Sequence, residues 1–417
     1  MIKNENLIKI FLEHVRQTRS YRFHPKTSPT DAETDDLINF IRGIDTYDED
    51  DDDNTTESRH KLSDIYHANI NVVGPVEGST ENDGSSNFEK KDAYYRSQNN
   101  YDNFKNGNSC GGSCSNRTEV VLAGSNGGIL HAFNALNGEE LWGYIPPNII
   151  GKLSTIVTSK ANATNPIYAI DGSAIVKDVY YDDTDNNIND PSWKTILLSG
   201  LGAGGHGYFA LDITDINSPE HLFAIENDPF NKVVRYWGAN EVKSEWGYQS
   251  GLAMPAEYDY QKLGEAWSAP RIIRIKHNGK DKWVAVFGGG FNSKTNPNYG
   301  SAVFVMDIEG DGTLLKKIDI ADTSSSDIVN SIPADLTVIT ANGTEKANYS
   351  GAIVYAADLE GKITKINLTD QGTMYDTTTL FNSESTNSNG RYIYNVAEAT
   401  INDNVLWLYF GTGDKQK

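Results

Sequence analysis

The stretch from Val121 to Pro147, VLAGSNGGILHAFNALNGEELWGYIPP, constrains the fold more than any other part of the 417-residue chain. Val121 and Ala123, then Leu130 and Ala132, place apolar residues at period two, the signature of strands. Asn126-Gly127 and Asn137-Gly138 are dipeptides that type I′ hairpin turns prefer, because both central residues need positive φ. A third strand follows and is closed by Trp142. A meander of this kind forms one blade of a β-propeller.

Its pieces recur downstream in order. Ile196 to Asp215 reads ILLSGLGAGGHGYFALDITD, Val284 onward reads VAVFGGGFNSK and then GSAVFVMDIEGD, and Val354 to Asp370 reads VYAADLEGKITKINLTD. Leu406 to Asp414, LWLYFGTGD, repeats the opening of the unit. Each unit sets an apolar strand before Gly-rich punctuation. In four of them a second strand ends near an Asp or Asn with a turn beyond it. Such variable spacing fits a propeller with loop insertions better than a solenoid of fixed period. From Asn116 to Lys417 there are about three hundred residues. At roughly 40–45 residues per four-stranded blade the expectation is an all-β propeller of about seven blades, the last modified or incomplete.

The rest of the chain is organised around that array. Residues 1–59 read as a separate helical and acidic linker segment, and 60–417 as the propeller. DAETDDLINFIR (Asp31 to Arg42) has a helical stripe of Leu37, Ile38 and Ile41, and Asp45 to Asp53 holds seven acids in nine residues, the pattern of a solvated, self-repelling linker, with a metal site as the alternative. Leu62 to Gly74 restores a strand pattern, whereas 77–115 is rich in Asn, Ser, Asp and Tyr and reads as a long surface loop. No run of about eighteen apolar residues occurs, so no transmembrane helix is expected. The net charge of -21 opposes binding to nucleic acid. The first twenty residues lack the apolar core of a signal peptide.

DLINFIRG, LSDIYHANINVVG and NRTEVVLAGSNGGILHAFNALNGEELWGYIPP, in that order, resemble the C-terminal domain of the PilY/PilC family of type IV pilus biogenesis factors and tip-associated adhesins. AIDGSAIVKDVYYDD, WKTILLSGLGAGGHGYFALDIT, WVAVFGGGFNS and VYAADLEGKITKINL are similar to the family's successive blade motifs. The resemblance runs from about Asp35 to the end. It implies a non-enzymatic binding and assembly module, exported to the pilus tip, cell surface or outer membrane, and part of a longer secreted protein with an N-terminal von Willebrand A-like region. The implied partners are pilin or minor pilins and a host or environmental surface. Tyr94, Tyr95, Tyr101 and the loop Asp182 to Asp190 are candidate contact residues. NALNGEELW is also similar to the repeat of quinone-dependent propellers, so a periplasmic scaffold and a quinone dehydrogenase are the alternatives. No organic cofactor is expected.

Two sites carry chemistry of their own. Cys110 and Cys114 in CGGSC are spaced to close a small disulfide ring, the alternative being two free thiols. The family resemblance implies a calcium loop of the form DxDxDxxxD before the VYAADLEG strand. Here that position runs from Asp335 to Asn348 without alternating carboxylates. A second calcium candidate is YDDTDNNIND, where Asp183, Asp185 and Asn187 match the first three ligand positions of a DxDxN loop and Asn189 could add its carbonyl. An ordinary acidic hairpin loop is the other reading. The eight histidines form no metalloprotease pair, and no GxSxG elbow or P-loop occurs. Gly200 to Gly205 is followed by a strand instead of the helix that phosphate binding needs.

Overall fold

The computed structural model describes residues 31–157, 167–182, 192–240, 242–249, 254–292, 299–320, 330–386 and 388–413. Strands dominate them, gathered into five antiparallel sheets that follow one another in chain order. The first holds β1 (Asn71–Val73), β2 (Val120–Gly124), β3 (Leu130–Asn134) and β4 (Glu140–Tyr144). The second has six strands: β5 (Ala174–Tyr181), β6 (Ser192–Gly200), β7 (Gly207–Asp212), β8 (Glu220–Asp228), β9 (Val233–Trp237) and β10 (Lys243–Gly247). The third is β11 (Arg271–His277), β12 (Lys280–Gly288), β13 (Ala302–Asp307) and β14 (Leu314–Asp319). The fourth is β15 (Thr337–Thr340), β16 (Gly351–Ala357), β17 (Lys362–Thr369) and β18 (Thr377–Asn382). The fifth is a hairpin, β19 (Glu398–Asn402) and β20 (Val405–Tyr409). Length alone suggests about seven blades. The described residues form five sheets, because β9, β10 and the insertion between β1 and β2 take up chain that an average repeat would not.

The continuous apolar runs follow from burial on both faces. In β6 and β7, Ile196, Leu198, Tyr208 and Ala210 pack toward the third sheet, while Leu197, Phe209 and Leu211 pack toward the first. In β13, Phe304 and Met306 face the second sheet and Val303 and Val305 the fourth. The core is therefore a series of layers between neighbouring sheets, as in a propeller. β1 touches β5, and β5 touches β11, so the first strands gather along a common axis.

The recurring sequence signals have physical causes. The Asp or Asn ending each repeat's strand closes an Asx turn: Asn134, Asp212 and Asn367 accept the N–H of Leu136, Thr214 and Thr369, and Asp307 that of Gly310. A β-bulge interrupts the pairing of third with fourth strand in all four larger sheets. The glycine at the end of the second strand is required by close approach. A Cβ on Gly200 would lie 2.5 Å from the Ala266 carbonyl, and one on Gly288 2.7 Å from that of Ile332, where the chain enters the next sheet. Trp142 donates its indole N–H to the Ile216 carbonyl (2.7 Å), fastening the first sheet to the second.

The turns depart from the expected type I′ geometry. Gly128 and Gly138 are left-handed, but Asn126 and Asn137 are not. These are longer loops with a single left-handed glycine. Asn126 is held elsewhere: it accepts the Ala169 N–H and donates to the Asp64 carboxylate, tying together the segments that lead into β5 and β1.

Two segments set apart by sequence are built into the array. Helix α1 (Asp31–Ile41) buries Leu37, Phe40 and Ile41 in the layer containing Val73 and Val120. Residues 77–115, expected to be a surface loop, form a strap with α2 (Asp92–Gln98) and α3 (Tyr101–Asn106). Its helices are too short to show a period, and isolated anchors hold it. Tyr101, Phe104, Cys110 and Cys114 are buried in the layer of Trp193 and Tyr208. The final hairpin packs Leu406, Leu408 and Phe410 inward, whereas Val405, Trp407 and Tyr409 are exposed. No helix among the described residues is long and apolar enough to cross a membrane.

Candidate functional site

The acidic run is a closed loop seated on α1, not an extended linker. An antiparallel bridge joins Ile44 to Ser58, and Asp45 N–H bonds to the Glu57 carbonyl at 3.0 Å. Tyr47 packs edge-on against Phe40 with ring centroids 5.2 Å apart, and Thr46 donates to the Asp36 carbonyl at 2.7 Å. Arg59 caps the base, its guanidinium 3.9 Å from the centre of the Phe40 ring and 2.6 Å from the Glu49 carboxylate. Burial pushes the Tyr47 hydroxyl up to about 12, with Asp36 and Glu33 adding to it.

Inside the loop the carboxylates converge. Asp45, Asp50 and Glu57 bring ligand oxygens within 4.8 Å of one another, and so do Asp48, Asp50 and Asp52. Asp48 accepts the N–H groups of Asp52 (3.0 Å) and Asp53 (3.3 Å), which folds the backbone around its carboxylate. Asp48, Asp51 and Asp53 take left-handed φ values, an uncommon conformation for a non-glycine residue. Asp45 is 3% exposed; one carboxylate oxygen accepts the Glu49 N–H, while the other is buried with no hydrogen-bond partner. A buried unpaired carboxylate oxygen among like charges is costly unless a cation neutralises it. The Glu57 carboxyl is raised, chiefly by Asp52 and then by burial, Asp50 and Asp45.

This donor set fits a hard divalent cation. Calcium takes six to eight oxygens at about 2.3–2.6 Å, mostly carboxylate and carbonyl. Asp48, Asp50 and Asp52 stand at alternate positions as in the first turn of an EF-hand, and left-handed Asp53 occupies the place of its invariant glycine. The loop departs from an EF-hand at the twelfth position, Arg59. Asp45 and Glu57, brought in by the bridged base, supply the further carboxylates. The sequence signal, alternating Asp followed by a turn, was present but hidden among seven acids.

The positions favoured by sequence fare differently. Asp183, Asp185, Asn187 and Asn189 lie outside the described residues. Between Asp335 and Asn348 the chain is organised by protein groups: Asp335 accepts the Ala269 N–H, and the Asn87 amide donates to the carbonyls of Thr344 (2.8 Å) and Ala347 (2.7 Å). Cys110 and Cys114 are joined in a disulfide. Tyr101, a candidate contact residue, is fully buried with its hydroxyl on the Asp178 carboxylate, and Tyr95 packs against Trp193 and Trp283.

The strap is fastened at Asp92, which sequence gave no reason to single out. Lys177 of β5 lies 3.1 Å and Arg274 of β11 3.7 Å from its carboxylate, and the Asn342 amide donates to it at 3.0 Å. One carboxylate thus joins the second, third and fourth sheets across the axis.

A radial series of antiparallel meanders, packed face to face around their first strands, is the architecture of a β-propeller. The family described as the PilY1 beta-propeller domain matches residues 93–377, and the chain belongs to it. The type IV pilus biogenesis factor PilY1 of Pseudomonas aeruginosa (strain UCBPP-PA14) is 27% identical over 349 residues, 82% of this chain and 23% of its own length. A PilY1 homolog of Xylella fastidiosa (strain Temecula1) is 28% identical over 263 residues, 61% of this chain and 14% of its own. The crystal structure of the Pseudomonas aeruginosa PilY1 C-terminal domain superposes with a TM-score of 0.50 at 21% identity, covering 76% of this chain and 55% of that one. The chain therefore spans under a quarter of the length of these curated relatives.

Proposed function

We propose that this chain is a non-catalytic binding and assembly module of a type IV pilus biogenesis and adhesion protein, working at the pilus tip or cell surface with pilin or minor pilins as partners. The observation that carries this reading is the family match across most of the propeller, with relatives named as pilus biogenesis factors. Calcium modulates the module through the acidic loop. Asp45, Asp48, Asp50, Asp52 and Glu57 hold the ion, which neutralises their mutual repulsion and locks the loop onto α1. The Asp183 to Asn189 segment, the calcium candidate read from the sequence, is the alternative location for the ion. The test is co-sedimentation of purified chain with isolated pili, and capture by minor pilins, in calcium and in chelator. Calcium-dependent association supports the proposal; no association with pili or minor pilins under either condition contradicts it.

A further inference from the structure

The segments that lead into the first strands meet at the end of the axis where those strands begin. They form a cleft of about 480 Å³. Its walls carry His67 ahead of β1, Glu265 and Trp267 ahead of β11, Phe291 beyond β12, Asp335 ahead of β15 and Tyr394 ahead of β19. The strap closes the axis elsewhere, gripping Asn342 past the far end of β15, so the cleft is independent of the Asp92 contacts.

The cleft is built, not incidental. A bridge pairs Glu265 with Phe291, and the Trp267 indole donates to the Glu265 carboxylate at 2.9 Å, which fixes both side chains. The His67 ring stands edge-on to Trp267 with centroids 4.8 Å apart, and its Nδ1 lies 2.6 Å from the fully buried Asp171 carboxylate. Exposed Tyr66 and Tyr168 extend the aromatic surface beside His67.

The rings of Trp267, Phe291 and Tyr394, the His67 imidazole and two carboxylates line the space, and among the described residues no lysine or arginine does. Lys152 and Arg271 reach Glu265 and Asp335 only through longer-range attraction, and Lys152 already donates to the Gly204 carbonyl. Burial pushes the Asp335 carboxyl up, with the Ala269 N–H and Arg271 pulling the other way, so its charge is under-compensated. Aromatic faces beside carboxylates attract an organic cation through the ring quadrupole and direct charge pairing. A neutral sugar would use the rings but gain little from two carboxylates.

We propose that this cleft binds a single basic side chain, the ammonium of a lysine presented by a partner protein, with Trp267 and Tyr394 flanking the alkyl stem and Glu265 and Asp335 taking the charge. The inference does not depend on calcium or on the pilus reading, because its ligand chemistry is read from the cleft alone.

The test uses the full chain labelled with 5-fluorotryptophan, in which seven tryptophans give resolvable fluorine signals and Trp267→Phe identifies one of them. N-acetyl-lysine-N-methylamide is titrated at constant ionic strength, with the norleucine analogue and N-acetylglucosamine as the comparison probes. The expected result is a saturable shift of the Trp267 signal with the lysine probe alone, weakened about tenfold or more in the Glu265→Gln/Asp335→Asn variant. Both substitutions keep an acceptor oxygen for Trp267 and Ala269, and unchanged signals from the other tryptophans establish that the variant is folded. Equal shifts with norleucine, a response to the sugar alone, no response to lysine, or lysine binding undiminished in the variant would each overturn the proposal.

Discussion

Replacing Asp92 tests whether the strap is an integral part of the propeller. Burial pushes the Asp92 carboxyl up, but Lys177 and then Arg274 outweigh it and hold it below its ordinary 3.8. Removing one partner of a buried ion pair costs about 3–5 kcal/mol. Two features place Asp92→Ala at the low end. The Lys177 side chain is 27% exposed and can rehydrate, and Arg274 keeps Asp281 at 2.5 Å. A loss of about 3 kcal/mol lowers the Tm by roughly 6 °C, taking about 2 °C per kcal/mol as suits a large domain. Because the folded carboxyl titrates below its unfolded value, this stability is present above about pH 3.8 and disappears as pH falls through the folded value. Differential scanning fluorimetry of wild type and Asp92→Ala from neutral to acid pH measures both quantities, and hydrogen exchange reads the strap directly. Equal Tm values at neutral pH, with unchanged exchange from 77 to 115, would refute the reasoning.

Three further outcomes follow from other parts of the array. Gly200→Ala drives a methyl group against the Ala266 carbonyl and should cost about 1–3 kcal/mol, seen as a lower midpoint in urea. Reducing the Cys110–Cys114 disulfide, which closes a ring of few residues, should cost about 2 kcal/mol and be seen as faster proteolysis of the strap. Burial pushes Glu309 up to about 7 and Asp358 up to about 6, so at these two carboxyls the native state binds more protons than the unfolded chain, while His206, which burial lowers to about 4, works the other way. The two carboxyls therefore lower stability as pH rises from about 4 to about 7, His206 offsets part of this, and the fall should be smaller in Asp358→Asn by the share of Asp358.

The propeller was legible because its signals are local and repeated. Strands such as ILLSG and YFALD announce burial on both faces, and Asn134, Asp212, Asp307 and Asn367 mark one recurring turn. The strap was not legible. Tyr101 and Asp92 act through partners 77 and 85 residues away, and nothing in a helix of six or seven residues reports a partner at that distance. The acidic loop was misread for a related reason. Acids dense enough to repel one another predict an extended chain, unless residues outside the run close its base, as the Ile44–Ser58 bridge and Arg59 on Phe40 do. Asn126-Gly127 does form a turn, closed by the Gly128 N–H on the Ser125 carbonyl, but without left-handed geometry at Asn126, whose side chain binds Ala169 and Asp64.

Calcium titration by calorimetry on the full chain bears most directly on the proposed metal centre. Wild type is compared with Asp45→Asn/Asp50→Asn, which removes the buried unpaired carboxylate and the one shared by both triads, and with Asp183→Ala/Asp185→Ala. Saturable binding in wild type, lost in the first variant and kept in the second, is the predicted result. Binding that survives the loss of Asp45 and Asp50, or no binding to wild type, would contradict the assignment of the Asp45 to Glu57 loop as the metal centre.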